Sequence, residues 1–529
     1  MRFRLVAALL AALALAAVAV MPAGARSPTI TASSQVTPND LAVRAYGSPG
    51  VVVDPDDPRN VFSAGVEYRT GRCAFQRSTD GGATWREMEG APSVPGSPLC
   101  AHNLGQLPAG FLAMGPDRTL YWAHVASSID DSANLSVFLA RSPDLGETWS
   151  TTPVRDARGK RGGDAERNIV MDLAVDTTRG TGDVVYVTWM GGPPLGVTPP
   201  QARQAMVAAS FDGGRTFADP VDPAESFYKN PANLPEGVPP ERRTAKQIGA
   251  LQPNLAIDGR GKVHVVWMEL VVGDPFHSPV RWRRMYVSGS SDQGRTFTEH
   301  TLVRTMTTEG VGLIGPMLEW SPRGGPQGSL HLAYESRIAP AQGDRDVQYQ
   351  RSVDGNRTWS DVKVVNDDDP RQLLGQFLPN VAVAPNGRVD IAWWDMRDGA
   401  LAYANDVYYS YSEDAGQTWS PNLRVTDRSI DRSLGIWTNN SDTRQPPGLA
   451  SANALAVLVW DDTRNADAVA GAQDLRAAAV QFQDLGTGGS RRLVAYGLAG
   501  LAGAGTVGLV LLVAGVVGYR RRRAPTPES

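Results

Sequence analysis

The chain has 529 residues, a formal net charge of −4 and 20 % charged side chains. It shows no basic excess of the kind that marks a nucleic-acid partner, and its length suits one large repeat domain or several small ones. The 55 glycines and 38 prolines imply many tight turns, and no long helical periodicity runs between the two ends.

Arg2 and Arg4 precede an apolar run from Leu5 to Val20, and Ala23-Gly24-Ala25 offers small residues for cleavage. Residues 1–25 therefore read as a secretory signal peptide, with the mature chain starting near Arg26. Thr29-Ile30-Thr31 follows as an isolated strand. The only two cysteines, Cys73 and Cys100, are expected to form a disulfide outside the cytoplasm; unpaired burial is the alternative.

From Val51 onward one unit recurs: a strand, a turn, a second strand, a variable loop, a third strand, a short motif and a fourth strand. The fourth unit shows the order, with Pro253–Asp258, Val263–Trp267 in period-two alternation, Arg284–Ser288 and Thr301–Val303. The motif is Ser-x-Asp-x-Gly-x-Thr-aromatic, and it occurs six times, around Asp80, Asp144, Asp212, Asp292, Asp354 and Asp414. Asp accepts backbone N–H groups a few residues on, Gly takes a left-handed conformation, and Thr with the aromatic restarts a strand. In the copy at Asp354 the Gly is replaced by Asn356, the non-glycine residue that best tolerates positive φ. These aspartates are read as structural turn residues. A seventh unit, from Pro447 to Phe482, has no intact motif, and Asp484–Thr487 is at most a decayed copy.

After a short linker, 486–492, the apolar stretch Leu493–Tyr519 is long enough to cross a bilayer core of about 30 Å at about 1.5 Å per residue. Arg520 to Arg523 follow at once and place the tail, 520–529, in the cytoplasm. The expectation is a single-pass anchor at the cell membrane with residues 26–485 outside.

The six motifs make the chain resemble the Asp-box (BNR repeat) proteins, a sialidase-like β-propeller family, over roughly residues 45–485. The resemblance implies an all-β propeller. The unit count predicts seven blades, the lead-in near Thr29–Thr31 lending the last one its missing strand; six blades follow if the first or last unit is an appendage. The activity implied is a cell-surface glycoside hydrolase of the exo-α-sialidase type acting on extracellular glycans. The alternative is a non-catalytic propeller that binds glycan or protein. In the family three arginines hold the substrate carboxylate, a Tyr activated by Glu is the nucleophile and an Asp is the acid/base. The family's Phe/Tyr-Arg-Ile-Pro motif is absent here, where Tyr68-Arg69-Thr70 stands instead.

Strand order puts every Asp box on one face of the disc and the loops between second and third strands on the other. Those loops carry an acidic-x-Arg pattern: Glu67-x-Arg69, Glu335-x-Arg337, Asp395-x-Arg397 and Asp462-x-Arg464, the copy at Glu335 one position out of register. Glu269 has the acid without the Arg. Arg69, Arg337, Arg397 and Arg464 are the candidate substrate-binding residues, since a guanidinium fork suits a carboxylate. Asp395, Glu335, Tyr403 and Tyr334 are the catalytic candidates; the structural reading is that each acid pairs with its own or a neighbouring blade's Arg. Asp164-x-Glu166-Arg167-Asn168 is placed near the same face. The histidines show no metal-ligand spacing, and no cofactor is expected.

Overall fold

β-Branched and aromatic residues gather in short runs separated by Gly, Asp and Pro, and each run forms a strand. The computed structural model describes residues 27–482 apart from internal stretches, chiefly 101–110, 193–203, 235–247, 272–280, 306–314, 338–344 and 437–444. The stretches expected to be a signal peptide (1–25), a linker (486–492), a membrane span (493–519) and a tail (520–529) lie outside the described residues, as does the expected decayed motif. Among the described residues no helix is long and apolar enough to cross a membrane.

The lead-in forms β1 (Thr29–Ile30) and β2 (Ser34–Gln35). Blade 1 holds β3 (Tyr46–Val53), β4 (Val61–Glu67), β5 (Arg72–Ser78) and β6 (Arg86–Glu87). Blade 2 holds β7 (Phe111–Met114), β8 (Leu120–Ala126), β9 (Ser136–Ser142) and β10 (Ser150–Arg155), and blade 3 holds β11 (Ile169–Val175), β12 (Val185–Gly191) and β13 (Gln204–Ser210). Blade 4 runs β14 (Ile248–Ile257), β15 (Val263–Val271), β16 (Arg281–Ser290) and β17 (Glu299–Thr305). Blade 5 runs β18 (Met317–Ser321), β19 (Ser329–Arg337), β20 (Arg345–Ser352) and β21 (Lys363–Val364). Blade 6 has β22 (Gln376–Val383), β23 (Val389–Asp395), β24 (Ala404–Ser412) and β25 (Leu423–Arg424), with β26 (Ile430–Asp431) also on β24. Blade 7 has β27 (Gly448–Ser451), β28 (Leu455–Asp462) and β29 (Asp474–Gln481).

Every pairing within a blade is antiparallel, and first strands neighbour one another from β3 round to β27, which returns to β3. The molecule is a seven-bladed propeller. The closing strand comes from the lead-in: Thr29 and Ile30 pair with Gln481 and Val480, and Ser34 and Gln35 with Ala477 and Arg476. This pairing covers the outer edge of blade 7, which would otherwise expose unpaired backbone groups. In blade 3 the outer position is filled by Ala218 and Val221, bonded to Ala209 and Val207.

Second strands are buried on both faces, because each blade is packed between two others. β4, β8, β12 and β23 are buried at every residue. The period-two alternation expected of Val263–Trp267 does not mean one wet face: His264 is fully buried as well.

The six Asp boxes share one geometry. The Asp Oδ2 accepts the Thr hydroxyl at 2.6 or 2.7 Å, and Oδ1 accepts the Thr backbone N–H and the Ser hydroxyl. Two consecutive residues, not one, are left-handed: φ is 60° at Leu145 and 92° at Gly146, 74° at Gly355 and 75° at Asn356. The second position also needs a small residue, since a Cβ on Gly146 would lie 2.2 Å from Phe75 of blade 1 and one on Gly416 would meet the hydroxyl of Tyr349 in blade 5. Each box thus locks its own turn and lets the preceding blade pack closely against it. Cys73 and Cys100 form a disulfide that ties the start of β5 to the loop leaving blade 1.

Candidate functional site

On the face away from the boxes, the acids closing the second strands are buried, and most of them anchor a neighbour. Asp395 accepts Trp393 Nε1–H at 2.9 Å and the Arg397 backbone N–H at 2.9 Å. Asp462 accepts Trp460 Nε1–H and the Arg464 backbone N–H in the same way. Glu67 accepts the backbone N–H groups of Ala45 and Thr70. Glu269 takes Arg284 and the hydroxyl of Tyr228.

The arginines of the acidic-x-Arg pattern are committed. Arg397 lies 2.8 Å from Asp395, 2.6 Å from Asp367 and 3.5 Å from Asp368, and stacks on the ring of Tyr408. Arg464 lies 2.9 Å from Asp462 and 2.6 Å from Asp427. Each joins an acid of its own blade to one in the loop arriving from the blade before. Arg69 donates to the backbone carbonyls of Ala470 and Gly471 in blade 7. Arg337 ends β19, and its side chain lies outside the described residues. The four candidate substrate-binding arginines are therefore not assembled as a free clamp: Arg397 and Arg464 are interblade staples, as desolvated guanidinium groups need close anions.

The catalytic candidates have similar surroundings. Glu335 stands one residue nearer than Asp395 to the partner of its box serine, as the register argument expects. A shift of one residue turns the side chain to the other face of the sheet, and there it accepts the Leu378 N–H of blade 6 at 2.8 Å. Tyr334 is fully buried, donates to Gln350 and receives Arg304, so its hydroxyl has no route to a substrate. Tyr403 is exposed, and no acid within the described residues bonds to its hydroxyl. Arg397→Ala is expected to cost about 3 kcal/mol of stability, because it strands the buried Asp395; a urea midpoint unchanged by the substitution would contradict the staple role.

The seven first strands enclose a cavity of about 150 Å³ on the axis, with Val51, Leu112, Asp172, Glu319, Val381 and Leu449 among its walls. Polar side chains on these strands hand one blade to the next. Asp172 accepts the Leu255 N–H at 2.8 Å, Asn254 accepts the Leu318 N–H at 2.5 Å, and Asn380 donates to the Pro447 carbonyl at 3.0 Å. Burial lifts the Asp172 carboxyl to about 7, against the backbone N–H groups of Leu255 and Leu173. Burial and then the charge of Asp172 lift Glu319 to about 8. The backbone here is strained: Ser48, Gln252 and Leu378, each followed by Pro, have φ of 55°, 55° and 52° at bulges in β3, β14 and β22.

A larger cavity, about 790 Å³, opens between blades 2 and 3 on the face away from the boxes. Its walls come from the loop that carries Asp164-x-Glu166-Arg167-Asn168 and from the ends of β12 and β13. Glu166 sits at its centre of charge, receiving Arg155 Nε at 2.8 Å, Lys160 Nζ at 2.6 Å and Asn168 Nδ2 at 3.3 Å. Burial opposes its ionisation, but these donors outweigh it and hold the carboxyl down at about 2. The sequence pattern pointed to this loop but not to Arg155, Lys160 and Arg161, which start it or lie within it, nor to Trp189, which reaches the cavity from β12. Asp172 did leave a trace, as one acid inside the apolar run Ile169–Val175.

The sequence matches no family model and no curated protein. Among solved structures the chain is similar to the Hadza microbial sialidase, at 16 % identity over 80 % of this chain and 74 % of that one, with a TM-score of 0.44. It is also similar to the α-L-arabinofuranosidase of Fusarium graminearum in complex with arabinobiose, at 13 % identity over 72 % of this chain and 98 % of the other, TM-score 0.44. The α-L-arabinanase of Penicillium chrysogenum complexed with arabinobiose gives 15 % identity over 69 % and 94 %, TM-score 0.43. These three neighbours are glycoside hydrolases, and at such identities the likeness concerns strand arrangement alone.

Proposed function

We propose that this chain is a glycan-binding propeller at the cell surface, secreted by its signal peptide and held by the apolar span 493–519, with no hydrolytic step of its own. One observation carries the reading: Arg397 and Arg464, the arginines best placed to clamp a substrate carboxylate, are saturated by two or more acids each. A polar cavity of about 790 Å³ remains open on the same face, within the range of about 300–1,000 Å³ typical of ligand pockets.

The second reading is a sialidase-like hydrolase. In its favour, Asp172 and Glu319 form a pair of carboxyl groups in one cavity, and a carboxyl that keeps its proton near neutral pH is what a general acid needs. Against it, the axial cavity of about 150 Å³ is well below ligand-pocket size. The full chain in detergent micelles, applied to a glycan array and to fluorogenic sialoside and arabinofuranoside substrates, separates the two. Saturable glycan binding without fluorophore release is expected. Turnover of either substrate overturns the binding reading and returns the hydrolase to first place.

A further inference from the structure

We propose that the cavity between blades 2 and 3 is an oxyanion site, taking a ligand through a carboxylate or phosphate group. The assignment rests on the binding reading above and adds to it the place and the chemical class.

Three cationic side chains line this cavity, Arg155, Lys160 and Arg161, against two acids, Asp164 and Glu166. Glu166 absorbs Arg155 and Lys160 together, so one carboxylate faces two cations. Arg161 is exposed and makes no ion pair among the described residues. At Arg397 and Arg464 on the same face the balance is reversed, since Arg397 meets three acids and Arg464 two. Positive charge is thus left over at this cavity, on a chain whose net charge is negative.

A second observation points to an acceptor ligand. Trp189 is 1 % exposed and lines the cavity, yet its indole N–H has no partner among the described residues. The equivalent ring N–H groups of Trp393 and Trp460, also on second strands, are both taken by carboxylates two residues on. In β12 that residue is Gly191, which has no side chain to offer and itself lines the cavity. The indole N–H of Trp189 therefore meets the cavity as a donor that no protein acceptor takes among the described residues. An oxyanion in this cavity would offer the indole N–H an acceptor and offset the spare charge, and hydrogen bonds to a charged acceptor are the strong kind.

The test is calorimetric titration of the full chain in detergent micelles with trigalacturonate, its fully methyl-esterified form, mannose 6-phosphate and inorganic phosphate. Trigalacturonate or mannose 6-phosphate is expected to bind about tenfold more tightly than the ester at low salt, with the advantage falling as salt is added. Which of the two binds better distinguishes a carboxylate-bearing from a phosphate-bearing partner. Arg161→Gln, at an exposed position, is expected to remove the preference with the melting temperature unchanged. Trp189→Phe keeps the ring and deletes the donor, and should weaken the anionic ligands alone. Equal binding of acid and ester by the unmodified chain overturns the oxyanion site and leaves glycan binding standing. Binding of inorganic phosphate, lost in Arg161→Gln, with no sugar bound, supports the site and overturns the glycan reading. Failure of all four ligands to bind overturns both.

Discussion

Arg388→Ala is expected to cost about 4 kcal/mol of stability, as removing one partner of a buried ion pair does. Arg388 and Asp390 are both almost fully buried and joined as a fork, Nε to Oδ1 at 2.8 Å and Nη2 to Oδ2 at 2.9 Å. The guanidinium also crosses to blade 7, donating to the carbonyls of Asn453 at 2.9 Å and Ala452 at 3.0 Å. Asp390 in turn accepts the hydroxyls of Tyr409 at 2.5 Å and Ser451 at 2.6 Å. Truncating the cation leaves an anion with no water and two blades with one link fewer. The pairing of Arg388→Met with Asp390→Asn should recover part of the loss, because the stranded charge is then gone. Equilibrium urea unfolding reads both, and a loss below about 1 kcal/mol for the single variant would show the pair to be no stronger than a surface contact.

Glu319→Gln should do the opposite, and only at neutral to alkaline pH. The folded chain raises Glu319 from 4.5 to about 8 and Asp172 from 3.8 to about 7, through burial and, for Glu319, the second charge beside it. A carboxyl whose folded pKa lies above its unfolded one contributes fully below the unfolded value. It loses that contribution as pH climbs through the folded value. The native chain should therefore lose stability between about pH 4 and pH 8 on account of this pair. A shift of this size corresponds to several kcal/mol at most, since one unit is about 1.4 kcal/mol. Both side chains are only half-buried against the axial cavity, so about 2 kcal/mol is the gain expected of Glu319→Gln at pH 8, with none at pH 4. Melting temperatures across that range would settle the matter: curves that run parallel for the two proteins exclude a titrating axial pair.

The staples show why some of this could be read in advance. The acid and the Arg of Asp395-x-Arg397 are two residues apart, and local chemistry is enough to expect their pairing. The third partner, Asp367, lies 30 residues back in the loop from blade 5, and nothing in the local pattern names it. The same holds for the cavity between blades 2 and 3. Its acidic loop stood out, whereas Trp189 gains its role from a glycine two residues on and from a neighbouring blade.

Repetition and turn chemistry speak locally, so the amino-acid order alone was enough to expect the repeated blades and the six pinned turns, and a last unit one strand short pointed to the lead-in as its partner; the count of seven and the disulfide were fixed by the fold. Whether an arginine is a free hand or a rivet depends on what the next blade brings to it, and so does the acidity of two carboxyls on the axis. Those are consequences of closing seven sheets into a ring, where distant segments meet, water is excluded, and a charge keeps or loses its partner according to how the blades come to rest.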